Sequence, residues 1–211
     1  MLLSHKYRFI FIKTVKTAGT SIEVELGRFL GPDDVVTPII PTNRGHTPRN
    51  FQRNKQSFYN HMSAREVREH IGSKMFIDYF KFCVEREPVD KCISHYSMLK
   101  NSPHHNENNK YITWDSYVSR GCFPIDHCKY IDADGSLMVN KILHYEKLKE
   151  ELIGVCKTVG LPPIELRTTE KSGFREDPSV SPRQAEIIYS AFSKSNTYTR
   201  CYMRSDAPQS A

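Results

Sequence analysis

The sequence predicts an α/β fold with a central parallel sheet. Apolar runs at residues 7–12 and 79–84 show no polar alternation, as expected of strands buried on both faces. Around them lie segments whose apolar residues recur at helical spacing, and this alternation of strand and helix suits parallel strands joined by right-handed crossovers. A length of 211 residues, 38% of them hydrophobic, fits one domain with one core, expected over 1–204 with a polar tail at 205–211.

The elements follow from local signals. The run at 7–12 ends in a loop of small residues. Ile22, Leu26, Phe29 and Leu30 then recur at helical spacing until Gly31-Pro32 stops the helix. Residues 32–58, rich in Pro, Asn, Arg and Thr, lack periodicity and are expected to be surface connections. Ser63-Ala64-Arg65-Glu66 is a capping box, so a helix should run from Ala64 to about Gly72. After the strand at 79–84, Pro88 opens a helix whose face carries Val89, Cys92, Ile93, Tyr96 and Leu99. Residues 101–110 form a polar loop, and a short helix over 114–118 should end at Gly121. Residues 130–143 read as strand, turn and strand, with Asp132-Ala133-Asp134-Gly135 as the turn. Leu148, Leu152, Val155 and Val159 mark an amphipathic helix ended by Gly160. A last helix opens at the capping box Ser181-Pro182-Arg183-Gln184.

The formal charge of +6 suggests an anionic partner. The charge is dispersed and forms no basic helical stripe with interleaved aromatics, so nucleic acid is not expected and a small polyanion is preferred. No apolar run approaches the roughly twenty residues needed to cross a bilayer. Lys6 and Arg8 interrupt the N-terminal apolar patch and no signal-peptide plan follows, so a cytoplasmic location is expected. The six cysteines lack CxxC spacing and are expected to be free thiols, with a Cys122–Cys128 bridge left open.

The loop KTAGTS holds the first functional signal. A helix N-terminus binds anions through its free N–H groups and its dipole. Gly19 lets the backbone approach a ligand, and Thr17, Thr20 and Ser21 offer hydroxyls. The triphosphate-binding pattern GxxxxGK[ST] puts lysine directly after its second glycine. Here Thr20 holds that position and Lys16 comes three residues before Gly19, while Asp78 is a weak candidate for binding magnesium. The loop therefore suits a phosphate that carries no metal-bound γ-group.

With EREPVDKCIS at 85–94, YNHMSAREVREHIG at 59–72, YFKFCVEREP at 79–88 and ILHYEKLKEEL at 142–152, the chain resembles the sulfotransferases that use 3′-phosphoadenosine 5′-phosphosulfate (PAPS). The likeness is to their bacterial and carbohydrate-type branch and spans most of the chain to about residue 200. It implies a P-loop-type central sheet. It also implies that Lys16, Thr17, Ala18, Gly19, Thr20 and Ser21 grip the 5′-phosphosulfate, and that Arg86 and Ser94 grip the 3′-phosphate. Lys171 and Arg175, in KSGFR, match a late basic segment that closes over that phosphate. Val15, Glu85 and His144 depart from the usual pattern, and Glu85 could alter how the 3′-phosphate is held.

The chemistry needs a charge stabiliser and a base. Lys16 can neutralise charge on the bridging oxygen as sulfur leaves the 5′-phosphate. His61, just before the capping Ser63, sits at the positive end of a helix that favours neutral imidazole, and the resemblance makes it the base. His46 is the runner-up and a candidate for lining the acceptor site. Adjacent His104 and His105 lack zinc-ligand spacing, and no metal is expected. The expected reaction is sulfuryl transfer to a hydroxyl of a saccharide or small-molecule acceptor, releasing adenosine 3′,5′-bisphosphate. A P-loop nucleotide kinase and a non-catalytic anion-binding module are the alternatives.

Overall fold

A computed structural model describes residues 1–42, 45–53, 56–166 and 175–205. Its elements in chain order are β1 (Leu2–Ser4), β2 (Phe9–Phe11), α1 (Gly19–Gly27), β3 (Val35–Val36), β4 (Gln52–Arg53), β5 (Gln56–Ser57), α2 (Ala64–Ile71), α3 (Ser73–Asp78), β6 (Phe80–Glu85), α4 (Pro88–Asn101), α5 (Trp114–Arg120), β7 (Lys141–His144), α6 (Leu148–Val159), α7 (Pro182–Ala191) and α8 (Ser193–Ser205). The residues group into two compact units. The first joins Met1–Glu85 to Cys128–Glu170, and the second joins Arg86–His127 to Lys171–Ala211. No described helix is long and apolar enough to cross a membrane.

The first unit holds a five-stranded sheet of order β3-β1-β2-β6-β7. β2, β6 and β7 run parallel, with Phe11 opposite Phe82 and Val84 opposite Leu143. The central strands are parallel, as the sequence predicts, and β1 and β3 add an antiparallel margin to them. Residues 2–4 are too short to show a strand period, and they gain their partner through a tight return into β2. One sheet face carries Phe9, Phe11, Phe82, Val84 and Leu143. It packs on Ile22 and Leu26 of α1 and on Leu148, Leu152 and Val155 of α6. Ile10, Cys83 and Ile142 point to the other face and are equally buried.

Residues 32–58 are not the surface connection expected. Val35 and Val36 join the sheet, β4 pairs antiparallel with β5, and Ile39, His46 and Phe58 are buried. Asp34 organises the entry: its carboxylate accepts from Ser4 Oγ at 3.0 Å, His5 N at 2.6 Å and Gly31 N at 2.8 Å. Of the expected strand pair at 130–143, only an isolated Ile131–Leu137 bridge flanks the turn, and the strand proper is β7.

The second unit has its own aromatic core. Cys92, Ile93 and Tyr96 of α4 pack with Trp114, Tyr117 and Val118 of α5 and with Ile188 and Phe192 of and after α7. Pro88 is at the first turn of α4, where Glu87 accepts from Val89 N at 3.1 Å and Asp90 N at 2.7 Å. Lys91 and Asp126 form a fully buried ion pair at 2.9 Å. Cys122 and Cys128 are exposed free thiols, and Cys83, Cys92 and Cys156 are buried ones.

Candidate functional site

In the first unit, the chain leaving β2 does not pass directly into α1. Lys16 and Ala18 both take left-handed backbone conformations, with φ of 61° and 58°. Such conformations cost a non-glycine residue energy and collect where a loop must aim its amides. Ala18 is the N-cap of α1 but supplies no side-chain cap, and the first helical bond is Ile22 N to Ala18 O at 3.1 Å. The N–H groups of Gly19, Thr20 and Ser21 therefore precede the intrahelical ladder, which is the anion-binding end of a helix.

Lys13 braces this loop from beneath. Its Nζ reaches Glu23 Oε2 of α1 at 2.6 Å, with both side chains buried. Its stem crosses Gly19 so closely that a Cβ there would lie 2.7 Å from Lys13 Cγ, so a larger residue would have to displace the Lys13 stem. The Met1 ammonium also donates to Glu23 and, at 2.8 Å, to Thr37 Oγ1. Burial pushes the Glu23 carboxyl up, but the Met1 and Lys13 charges outweigh that and hold it below the usual carboxylate range.

Thr14 ties the loop to the neighbouring strand by donating to Val84 O. Thr17 faces inward, fully buried, with its hydroxyl 2.9 Å from Thr14 Oγ1. Lys16, Ala18 and Thr20 are half-buried, while Gly19 and Ser21 are buried.

His61 belongs to the same neighbourhood. Its backbone is left-handed (φ 63°) and its Nδ1 lies 3.1 Å from Lys13 O. A carbonyl can only accept, so Nδ1 carries the proton and Nε2 of the neutral ring holds the lone pair. Lys129 Nζ donates to His61 O at 3.3 Å. Two residues on, the expected capping box is formed: Ser63 Oγ accepts from Glu66 N at 3.3 Å and Glu66 Oε2 accepts from Ser63 N at 3.0 Å.

His46 is placed differently, at the other end of α1. It lines a cavity of about 150 Å³ with Gly27, Arg28, Val36 and Arg49. Its Nε2–H donates to Thr37 O at 2.8 Å, and its buried Nδ1 meets no partner among the described residues. Burial pushes its pKa down.

In the second unit, Arg86, Asp90 and Arg175 form a chain of charges. Arg86 Nε donates to Asp90 Oδ2, and Arg175 NH2 reaches Asp90 Oδ1 at 2.7 Å. Burial pushes the Asp90 carboxyl up, but the hydrogen bonds and charges of Arg86 and Arg175 prevail and hold it down. Half-buried Ser94 lies one helical turn beyond Asp90. Glu85 turns elsewhere: it is buried in the first unit and accepts from the Tyr130 hydroxyl at 2.9 Å. Lys171 lies outside the described residues. Lys13, Glu23 and Asp90 were missed as supporting residues. The Arg86–Asp90 spacing of one helical turn was the available signal for Asp90.

This is an α/β protein with an amide-rich loop between the second strand and its helix. The comparisons give the fold a neighbour. Mouse sulfotransferase SULT7A1, solved in complex with PAP, aligns with a TM-score of 0.53 over 96% of this chain and 90% of its own, at 12% identity. The chain thus has the sulfotransferase fold. An uncharacterized protein of Archaeoglobus fulgidus is 27% identical over 122 residues, 54% of this chain and 98% of that protein. The sequence matches no protein-family model.

Proposed function

We propose that the protein is a sulfotransferase that moves a sulfuryl group from PAPS to an acceptor hydroxyl on a carbohydrate. The observation that carries this reading is His61. Its ring is fixed in the Nδ1–H tautomer on the carbonyl of Lys13, three residues before Lys16 in the left-handed loop. A neutral imidazole beside a helix N-terminus and a lysine is the equipment for deprotonating an alcohol while a phosphate leaves. The PAP complex of a protein with the same fold supports the choice of co-substrate.

In the proposed reaction the acceptor oxygen attacks sulfur in line. The new S–O bond forms as the bond from sulfur to the 5′-phosphate oxygen breaks. The hydroxyl proton passes to His61 Nε2, and Lys16 neutralises the leaving oxygen. Amides of Gly19, Thr20 and Ser21, with Thr17 and Ala18 shaping the turn, take the 5′-phosphate. Arg86, Ser94, Lys171 and Arg175 take the 3′-phosphate. The reading carries with it a cytoplasmic location, in keeping with the free thiols.

The test is a thermal-shift and turnover pair. Adenosine 3′,5′-bisphosphate in metal-free buffer should stabilise the chain, and magnesium–ATP should not; the reverse pattern would select a nucleotide kinase. Lys16→Ala should retain the fold and lose turnover by about 100-fold or more, the scale of one lost charge stabiliser. Turnover is read by mass spectrometry as the addition of one sulfo group across a panel of saccharide and small-alcohol acceptors.

A further inference from the structure

The stripe of α4 that starts at Asp90 and Ser94 continues to Ser97 and Asn101, steps of four, three and four residues that share one helical face. Along it lies the segment carrying Arg175. Glu176 N donates to Ser97 Oγ at 3.0 Å, and the Glu176 carboxylate accepts from Lys100 Nζ at 2.8 Å and Asn101 Nδ2 at 2.9 Å. Asp177 accepts from Arg175 Nε at 2.8 Å. Glu176 is therefore docked on α4 through its own backbone and carboxylate, independently of the Arg175 side chain, whose guanidinium reaches Asp90 at 2.7 Å.

We infer that Asp90 is a positioning residue that aims Arg86 and Arg175 at one 3′-phosphate. The inference rests on the reading of those arginines as 3′-phosphate ligands. Two guanidinium groups brought together repel each other, and each loses side-chain entropy when it is held. Asp90 offsets both costs before any ligand arrives, because its two oxygens engage different arginines. It takes Arg86 through Nε, one of five N–H donors, and its hold on Arg175 is through NH2. A phosphate monoester then meets a preset pair of cations, and Ser94 follows on the same face of α4.

The experiment is calorimetric titration in metal-free buffer with two probes, adenosine 3′,5′-bisphosphate and adenosine 5′-monophosphate, against the unaltered chain, Asp90→Asn, Arg175→Met and the double variant. The unaltered chain should prefer the bisphosphate. D90N should bind it about tenfold or more weakly, the scale of a lost charge-assisted hydrogen bond, and hold the monophosphate to within about threefold. The double variant should lose less than the sum of the D90N and R175M losses, since Asp90 acts partly through Arg175, while still binding more weakly than R175M because Arg86 is released as well.

Bisphosphate binding by D90N that is unchanged or tighter overturns the inference, because Asp90 would then be only a counter-ion that the ligand displaces. Equal weakening of both probes overturns it as well, by exposing a merely structural role. Should D90N not fold, Asp90→Glu carries the same test, keeping the charge while displacing it by a methylene, with selective weakening of the bisphosphate expected. An unaltered chain that does not distinguish the two probes sinks the 3′-phosphate reading itself, which is a different failure.

Discussion

Lys13 holds three parts of the first unit at once. Its carbonyl fixes the His61 ring, its stem fills the space above Gly19, and its ammonium reaches Glu23. The Lys13 ammonium pairs with the Glu23 carboxylate at 2.6 Å, and both are removed from water. Breaking one side of a buried pair costs more than the pair contributes, because a charge is left uncompensated. Glu23→Gln should therefore lose about 3–5 kcal/mol of stability in urea unfolding. Lys13→Met combined with Glu23→Gln should lose less than E23Q alone. The pH dependence has the same source. The folded Glu23 carboxyl titrates below its ordinary value, so its contribution is fully present above that value and is lost as pH falls through the folded one. Unfolding midpoints should fall on the acid side of pH 4.5 and do so less in E23Q. Lys13 was not legible as a brace: a lysine closing an apolar strand reads like any solvated one, and its partner lies in the next helix.

At the scale of elements, the strongest local signals held. Ser63 and Ser181 both form the capping boxes that their sequences announce, and Gly121 and Gly160 close α5 and α6 in left-handed conformations. The two boxes make a controlled comparison. Ser63→Ala and Ser181→Ala should each cost about 1 kcal/mol in thermal or urea unfolding. Only S63A should also lower turnover, because Ser63 fixes the chain two residues after His61, whereas Ser181 begins a helix that holds none of the proposed catalytic groups. Equal turnover in both variants would detach His61 from its helix. What escaped the sequence were elements set by distant pairing. β1 and β3 have three and two residues, too few to show a period, and exist because β2 supplies an edge for β1 and β1 in turn supplies one for β3. α3 is short, and its C-terminal carbonyls at Phe76 and Ile77 are capped at 3.0 and 3.2 Å by Lys81, a buried lysine inside β6. α8 is too polar to announce an apolar face.

At the scale of the whole chain, each unit is assembled from two separate stretches and has its own apolar core. The proposed 5′ ligands fall in the first unit and the proposed 3′ ligands in the second, so a ligand test is read for each unit by itself. The chain contains one tryptophan, and Trp114 lies in the second unit's core, stacked on Tyr117 with ring centroids 5.4 Å apart. Its fluorescence therefore reports on the packing of that core, while far-UV circular dichroism follows every helix. A ligand that binds only the folded form adds about 2.7 kcal/mol at a hundredfold excess over its dissociation constant. Adenosine 3′,5′-bisphosphate at that excess should move the Trp114 midpoint and the dichroism midpoint together. Adenosine 5′-monophosphate, lacking the group assigned to Arg86, Ser94 and Arg175, should move the Trp114 midpoint less than the bisphosphate does at equal concentration. If the bisphosphate shifts the dichroism but leaves Trp114 where it was, the second unit takes no part in holding the nucleotide. The 3′-phosphate would then have to be assigned to other residues.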